Sequence, residues 1–177
     1  MTSLIVHKVI IAGPVGAGKT TAINALSDAP PLSTEELPSD ETRAIKETTT
    51  VAMDYGSVVV DNKYKVHIYG IPGQQRFDFM WDILAKGGTG LVILLDGTRP
   101  EIFKDLKYYS NVFSDLVKDH QLVIGLTKMD KGAPHGLDVY RQYLDEISMR
   151  APLFEVDARS GSDMTCLIRA LIASTEA

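Results

Sequence analysis

Hydrophobic positions in this chain form short uninterrupted runs, and the stretches between several of these runs show helical spacing. Short runs rich in leucine and β-branched residues predict strands, whereas longer amphipathic stretches predict helices. The strands predicted in this way are Lys8–Ala12, Val51–Val60, Tyr64–Tyr69, Gly90–Leu95, Leu122–Leu126 and Leu153–Val156. The predicted helices are Lys19–Ser27, Phe77–Ala85, Glu101–Lys118, Leu137–Ile147 and Asp163–Ala173.

The order of these elements predicts the fold class. The second and third strands are joined only by the polar turn Asp61–Lys63, so we expect them to form an antiparallel hairpin. After this hairpin, helices and strands alternate, which is typical of a parallel sheet that is buried on both faces. We therefore predict a three-layer α/β domain whose six-stranded sheet is mostly parallel, with one antiparallel edge strand. In such a domain ligands bind at the carboxyl ends of the strands.

One polar and irregular segment, Asp28–Glu47, interrupts this pattern with prolines and carboxylates. Connections of this length inside a compact domain are uncommon and usually have a function. A solvated connector over Asp28–Asp40 is the alternative, and the sequence leaves both open.

The loop after the first strand carries the clearest chemistry. Residues Gly13–Thr20 match the pattern G-x-x-x-x-G-K-[ST] between a predicted strand and a predicted helix. Its glycines let backbone N–H groups and the positive end of the helix face a phosphate. Lys19 adds a positive charge toward the β and γ phosphates, and the Thr20 hydroxyl suits Mg²⁺. The loop therefore predicts a nucleotide site.

Length and charge narrow the class of protein. A chain of 177 residues suits one domain, which we expect to span residues 1–177. The net charge of −5 argues against binding of duplex nucleic acid, which needs clustered Lys and Arg. Cys166 is the only cysteine, and its place in a helical pattern predicts a small buried hydrophobe. Neither end shows a leader or lipidation signal, so we expect a soluble cytoplasmic protein without a membrane anchor.

The identity of the base is read from the loop after the fifth strand, Thr127–Asp130. The two oxygens of an aspartate match the N1–H and N2–H₂ donors of guanine, whereas adenine presents no such pair. Lys128 can lay its aliphatic stem along the purine, and the Thr127 hydroxyl can tie this loop to the phosphate loop. The pattern resembles the N/T-K-x-D element of small GTPases.

Two further segments extend this resemblance. Val156–Arg159 stands where small GTPases carry S-A-K, which implies that the Ala158 N–H meets the guanine carbonyl oxygen. Gly70–Phe77 corresponds to the D-x-x-G-Q segment of Ras-like proteins. That correspondence implies that Gly73 offers its N–H to the γ-phosphate and that Gln74 orients the attacking water.

The last of these segments departs from the common pattern, because Gly70 stands where an aspartate normally reaches Mg²⁺ through water. The I-P-G-Q sequence and the residues before Tyr55 resemble the prokaryotic gliding-motility (MglA-like) type of small GTPase over nearly the whole chain. The resemblance implies a P-loop NTPase fold of the G-domain type. Asp54 and Asp96 are the candidates to replace the missing aspartate, and for Asp96 a structural cap is an equal alternative.

Thr50 aligns best with the threonine that senses Mg²⁺ and the γ-phosphate in that family, although Thr48 and Thr49 leave the register open. The phosphate loop predicts a catalytic role for Lys19 and Mg²⁺ ligation by Thr20, and the resemblance implies catalytic roles for Gly73 and Gln74 and Mg²⁺ ligation by Thr50. The other predicted nucleotide-binding residues are Gly13, Val15, Gly16, Ala17, Gly18, Thr21, Thr127, Lys128, Asp130, Asp157, Ala158 and Arg159.

Transfer of a phosphoryl group to water needs charge neutralisation and an aligned water. An arginine finger contributes about 10³ to 10⁵ in rate, and Arg43 and Arg76 are the internal candidates, with solvated side chains as the alternative. We therefore predict slow intrinsic hydrolysis. The resemblance implies a Roadblock/LC7-type partner that docks beside Gln74, where helix packing is the alternative role of the apolar side chains. These side chains are Phe77, Phe79, Met80 and Trp81.

The sequence leaves three candidate functions. A GTP-hydrolysing switch accounts for the phosphate loop, the base-reading loops and Gln74 together. A nucleotide-loaded scaffold that scarcely hydrolyses GTP draws support from Gly70. A P-loop kinase or ATPase shares only Gly13–Thr20 and leaves Thr127–Asp130 unexplained.

Overall fold

The computed structural model describes residues 3–28, 54–71, 87–88, 90–119 and 121–177. The strands in these ranges are β1 (Ile5–Ala12), β2 (Asp54–Val60), β3 (Tyr64–Gly70), β4 (Gly90–Asp96), β5 (Leu122–Thr127) and β6 (Leu153–Glu155). The helices are α1 (Lys19–Leu26), α2 (Ile102–Val112), α3 (Ser114–Lys118), α4 (Leu137–Glu146) and α5 (Gly161–Glu176).

The strands form one sheet in the order β2-β3-β1-β4-β5-β6. Strand β1 pairs in parallel with β3 on one side and with β4 on the other, and β5 continues the parallel order to β6. Strand β2 is antiparallel to β3 and lies at the edge. The predicted sheet, mostly parallel with one antiparallel edge strand, is confirmed. The carboxyl ends of its parallel strands lie together at one end of the sheet, and the site described below is at that end.

Helices cover both faces of the sheet, which confirms the three-layer arrangement. Strands β4 and β5 are buried at every position, as their continuous apolar sequences require. On one face the core includes Ile23 and Leu26 of α1 with Leu167 of α5. On the other face it includes Leu106 of α2 and Tyr140 of α4.

Two expectations need correction. The predicted helix Glu101–Lys118 is two helices, because the backbone at Phe113 leaves helical geometry (φ −103°, ψ 35°) while its side chain stays buried. Cys166 is exposed, not buried. The buried stripe of α5 runs through Met164, Leu167, Ile168, Leu171 and Ile172, and position 166 falls on the opposite face of the helix.

Other boundaries differ by a few residues: β1 begins at Ile5, and α5 extends to Glu176. The predicted helix Phe77–Ala85 and the first residues of the predicted strand Val51–Val60 lie outside the described ranges. None of the helices within those ranges has the length and apolar character needed to cross a bilayer.

Asp28, just after α1, holds the edge strand β2. Its backbone N–H donates to the Ser57 carbonyl oxygen at 3.0 Å. Its carboxylate accepts a hydrogen bond from the Val59 N–H at 2.9 Å. The polar segment that begins at Asp28 therefore starts by fixing the position of the hairpin.

Candidate functional site

The phosphate loop joins the end of β1 to α1, as its pattern predicts. Gly18 is the residue before α1 and has a left-handed backbone (φ +100°). Gly13 (φ +151°) passes so close to β4 that a Cβ there would lie 2.1 Å from the Leu94 carbonyl oxygen. A side chain at Gly13 is therefore incompatible with this path of the loop, because a backbone atom cannot move aside cheaply.

Lys19 begins α1 and turns back over the loop. Its ammonium group donates to the carbonyl oxygens of Gly13 at 2.8 Å and of Pro14 at 2.9 Å. Burial lowers the pKa of Lys19 to about 8, against the opposing charge of Asp54. The ammonium group is half-buried and held against the carbonyl groups of the loop.

Asp54 lies on the strand next to Gly70, the position at which small GTPases normally carry an aspartate. The two residues are register partners on β2 and β3, and the Thr20 hydroxyl donates to the Asp54 carboxylate at 2.5 Å. A Cβ at Gly70 would lie 2.5 Å from Cδ1 of Ile23 and 3.4 Å from Cβ of Asp54. Absence of a side chain at Gly70 thus leaves room for a carboxylate that arrives from the neighbouring strand.

Asp96, the second candidate, has structural partners instead. Its carboxylate accepts hydrogen bonds from the Thr98 backbone N–H at 2.9 Å and the Thr98 hydroxyl at 2.6 Å, and from the Lys128 ammonium at 2.9 Å. Hydrogen bonds from Thr98 and Lys128 outweigh its burial and lower the pKa of Asp96. Asp96 therefore caps the turn after β4 and holds Lys128, and the geometry favours Asp54 as the carboxylate nearest Thr20.

Side chains at the end of β5 and at the start of the following loop contact the phosphate loop. The Thr127 hydroxyl donates to the Ala17 carbonyl oxygen at 2.9 Å, which is the contact expected from the sequence. The Lys128 ammonium donates to the Gly16 carbonyl oxygen at 2.7 Å, and Lys128 has a left-handed backbone (φ +58°). Two successive side chains thus fix the separation between the two loops.

The loop after β6 packs against the phosphate loop through a different contact. Ala158 is buried, and a Cβ at Gly18 would lie 2.9 Å from the Cβ of Ala158. The Asp157 N–H donates to the Asp163 carboxylate at 2.8 Å, which anchors this loop to the first turn of α5. None of the described residues accepts a hydrogen bond from the Ala158 N–H.

Two neighbouring cavities run along these loops. One, of about 370 Å³, is lined by residues of the loops after β5 and β6, among them Asp130, Asp157, Ala158 and Arg159. The other, of about 610 Å³, is lined by the phosphate loop together with Asp54 and Gly70. Gly18, Thr21 and Lys128 line both cavities. The two cavities have the volumes of small-molecule sites, and their shared lining makes them parts of one groove.

The structure brings most of the predicted site residues to this groove. The lining of the two cavities includes Val15, Gly16, Ala17, Gly18, Lys19, Thr20, Thr21, Thr127, Lys128, Asp130, Asp157, Ala158 and Arg159. Gly13 holds the base of the phosphate loop. Thr50, Gly73 and Gln74, the alternatives Thr48 and Thr49, the arginines 43 and 76, and the apolar residues 77 to 81 lie outside the described ranges.

Three lining residues escaped the sequence analysis: Lys131, Glu155 and Asp163. Lys131 follows the Thr127–Asp130 motif directly, and Glu155 ends β6, so their places next to motifs were available signals. Asp163 lies in the first turn of α5, where its N–H bonds to the Ser160 side chain that caps the helix. No sequence signal connects Asp163 to the backbone of Asp157.

A family model described as "Conserved hypothetical ATP binding protein" matches residues 11–176. The chain is 35% identical to "Uncharacterized protein MJ1339" of Methanocaldococcus jannaschii over 92 residues, which are 52% of each protein. It is 21% identical over its full length to "Ras-related protein RabC" of Dictyostelium discoideum, covering 87% of that protein. It is 24% identical to "GTP-binding protein YPTM2" of Zea mays over 94% of the chain and 78% of the relative.

The chain spans about half the length of two of the curated relatives that it matches. These are the Methanocaldococcus jannaschii protein, covered over 52%, and "Intraflagellar transport protein 22" of Chlamydomonas reinhardtii, which is 28% identical and covered over 53%. The six-stranded, mostly parallel sheet is consistent with the fold of the Ras-related proteins that the longer alignments match. The family model extends over nearly the whole chain. The chain therefore belongs to the family of conserved hypothetical ATP-binding proteins, and it has the fold of the Ras-related proteins to which it is similar.

Proposed function

We propose that this chain is a GTP-binding and GTP-hydrolysing molecular switch, of the prokaryotic MglA-like type of small GTPase. The observation that carries the proposal is the tie between the phosphate loop and the Thr127–Asp130 loop, made by the Thr127 and Lys128 side chains. These contacts hold a phosphate-binding end and a purine-binding end in one groove. That arrangement fits a nucleoside triphosphate.

Guanine is the base that the groove supports best, although the family description speaks of ATP. Asp130 lines the purine end, and a carboxylate there matches the two neighbouring donors of guanine. The Ala158 N–H, which has no acceptor among the described residues, suits the guanine carbonyl oxygen. Adenine has an amino group in place of that oxygen and would leave both protein groups unpaired.

The test of this proposal is the nucleotide that the purified protein holds and prefers. Chromatography of the nucleotide released on denaturation should show GDP or GTP, and calorimetry should show stronger binding of GTP than of ATP. Preference for ATP would overturn the proposal and favour the alternative function, a P-loop kinase or ATPase.

The described residues fit a bound Mg²⁺. The Thr20 hydroxyl and the Asp54 carboxylate lie together beside the phosphate loop, and oxygen ligands of this kind suit Mg²⁺. Among the described residues no cluster of three or more His, Cys, Asp or Glu side chains could hold a metal ion. Thr20 and Thr50 would be the direct ligands and Asp54 the partner through water. When bound, Mg²⁺ neutralises charge on the phosphate oxygens.

Hydrolysis in this proposal depends on positioning. Lys19 and the Gly73 N–H stabilise charge on the γ-phosphate, and Gln74 aligns a water whose oxygen attacks phosphorus as the bond to the bridging oxygen breaks. GDP leaves with that bridging oxygen, and the protons of the water pass to the inorganic phosphate or to solvent. Without an arginine finger turnover is slow, and either Arg43 or Arg76 could supply one internally. A Roadblock/LC7-type protein is the proposed activating partner. Faster hydrolysis on addition of such proteins supports this part of the proposal, and an unchanged rate argues against it.

Replacement of Gln74 by Leu is expected to lower single-turnover GTP hydrolysis by about tenfold or more, because leucine cannot orient the attacking water. GTP affinity should stay within about twofold, which calorimetry can check. The neighbouring Gln75→Leu variant is the matched control. Equal and negligible hydrolysis in the wild type and in Gln74→Leu would favour the alternative function, a nucleotide-loaded scaffold.

The pKa of Lys19 leads to a pH dependence of nucleotide binding. In the free protein that pKa is lowered to about 8, and contact with phosphate raises it, so binding above this pH takes up a proton. The association constant for GTP should therefore fall as the pH rises through about 8, approaching tenfold per pH unit. Fluorescence titrations between about pH 7 and about pH 9 measure the slope. A Lys19→Gln variant should bind weakly with no such slope, and a flat wild-type profile would contradict the prediction.

A further inference from the structure

The purine end of the groove carries a carboxylate that the family resemblance does not call for. Asp157 stands where small GTPases carry serine, and it lines the same cavity as Asp130. Its immediate neighbour Ala158 presents the N–H that the proposed function assigns to the 6-carbonyl oxygen of guanine. A free carboxylate beside that oxygen would set two acceptors against each other, while it would attract the 6-amino group of adenine.

Arg159 engages this carboxylate through three contacts. The Arg159 backbone N–H and Nε both donate to Oδ1 of Asp157 at 2.9 Å, and Nη2 donates to Oδ2 at 2.8 Å. These hydrogen bonds lower the pKa of Asp157 to about 2. Hydrogen bonding to Asp157 and the charges of Asp157 and Asp130 raise the pKa of Arg159. Both oxygens of Asp157 therefore accept hydrogen bonds, and the Arg159 cation offsets the negative charges of Asp157 and Asp130.

Stability of the fold does not explain this pair. The Arg159 and Asp157 side chains are 73% and 45% exposed, and exposed ion pairs contribute little to folding. The loop has a separate anchor, the hydrogen bond from the Asp157 N–H to Asp163. Removal of the Arg159 side chain should leave the loop in place, keep the bond from the Arg159 backbone N–H to Oδ1, and release Oδ2 of Asp157.

We infer that Arg159 is a specificity-determining positioning residue, which holds the Asp157 carboxylate away from the 6-position of the purine so that the site accepts a carbonyl there. This inference rests on the proposed function and deepens it. It changes the role of Arg159 from a direct nucleotide contact, as the resemblance implies, to one exerted through Asp157.

The test compares the affinities of wild type and Arg159→Gln for GTP, ITP and ATP. ITP keeps the 6-carbonyl oxygen of GTP and lacks only the 2-amino group. The variant should lose about tenfold in affinity for GTP and ITP alike relative to ATP, because the effect acts at the 6-position. Asp157→Ser in the Arg159→Gln background should restore the wild-type ratio, since it removes the released carboxylate.

Arg169→Gln provides the matched control, because Arg169 also makes an exposed pair with an aspartate, Asp61, on the hairpin turn at the far end of the sheet. It should leave all three affinities unchanged. If wild type prefers GTP and Arg159→Gln keeps the same ratio of GTP to ATP affinity, the inference is overturned and the proposed function stands. If wild type prefers ATP, both are overturned. A ratio that Asp157→Ser fails to restore also overturns the inference.

Discussion

Replacement of Asp130 by Asn should lower GTP affinity by about 10³-fold, which is the largest effect that we expect from a single substitution at the site. Loss of one of the two charge-assisted hydrogen bonds from guanine costs about 2 kcal/mol, and the two donors left facing each other cost about 2 kcal/mol more, together about 4 kcal/mol. An Asn side chain can accept only one of these bonds and turns a donor toward the other guanine donor. Calorimetric titration with GTP and ATP measures the change.

The same substitution should increase the affinity for xanthosine triphosphate. Xanthine has a carbonyl oxygen where guanine has its 2-amino group, so the Asn amide can donate to it while its oxygen accepts from N1–H. Asp138→Asn, an exposed aspartate in the first turn of α4, is the matched control and should change neither affinity. Equal losses of GTP and ATP binding in Asp130→Asn, with no gain for xanthosine triphosphate, would contradict a guanine-reading role.

Asp54→Asn should lower the affinity for Mg²⁺ in the presence of nucleotide, so that the Mg²⁺ concentration at half-saturation rises by about 10- to 100-fold. This loss is typical when a residue that supports the metal ligands is removed. The reason is the contact between its carboxylate and the Thr20 hydroxyl, on the strand next to Gly70. A Mg²⁺ titration at fixed GTP concentration measures the midpoint of saturation.

Asp96→Asn is the comparison that decides between the two acidic candidates. Asp96 holds Lys128 and the turn at Thr98, so its loss should weaken nucleotide binding equally with and without Mg²⁺. A shifted Mg²⁺ midpoint in Asp96→Asn and an unshifted one in Asp54→Asn would reverse the assignment made from the geometry.

Much of the fold was predictable because the sequence specifies it locally. Buried parallel strands need continuous apolar runs. The runs at Gly90–Leu95 and Leu122–Leu126 are continuous and are too short for typical helices, so a strand is the structure that they predict. The curl of the loop was predictable for the same reason, since Gly16 and Gly18 have the left-handed backbone that glycine favours, whereas the close approach of Gly13 to β4 is visible only in the structure.

The residues that were harder to place depend on contacts between distant segments. The choice between Asp54 and Asp96 needs the register of the hairpin, which sets Asp54 opposite Gly70. The misplacement of Cys166 was avoidable, because the apolar residues at 164, 167, 168, 171 and 172 have helical spacing and put position 166 on the opposite face of α5. Asp163 reaches Asp157 only because α5 starts where the loop after β6 turns.

The contacts of Asp28 bear on how accessible β2 is, which is an edge strand of the sheet that the described residues form. An edge strand presents unpaired backbone groups to which a strand of another molecule can add. Asp28 engages two of these groups on β2, at Ser57 and Val59, and an exposed aspartate brings a negative charge to the same place. Asp28 therefore opposes the addition of another strand at the middle of β2, because an incoming strand would have to displace both hydrogen bonds and cover the charge.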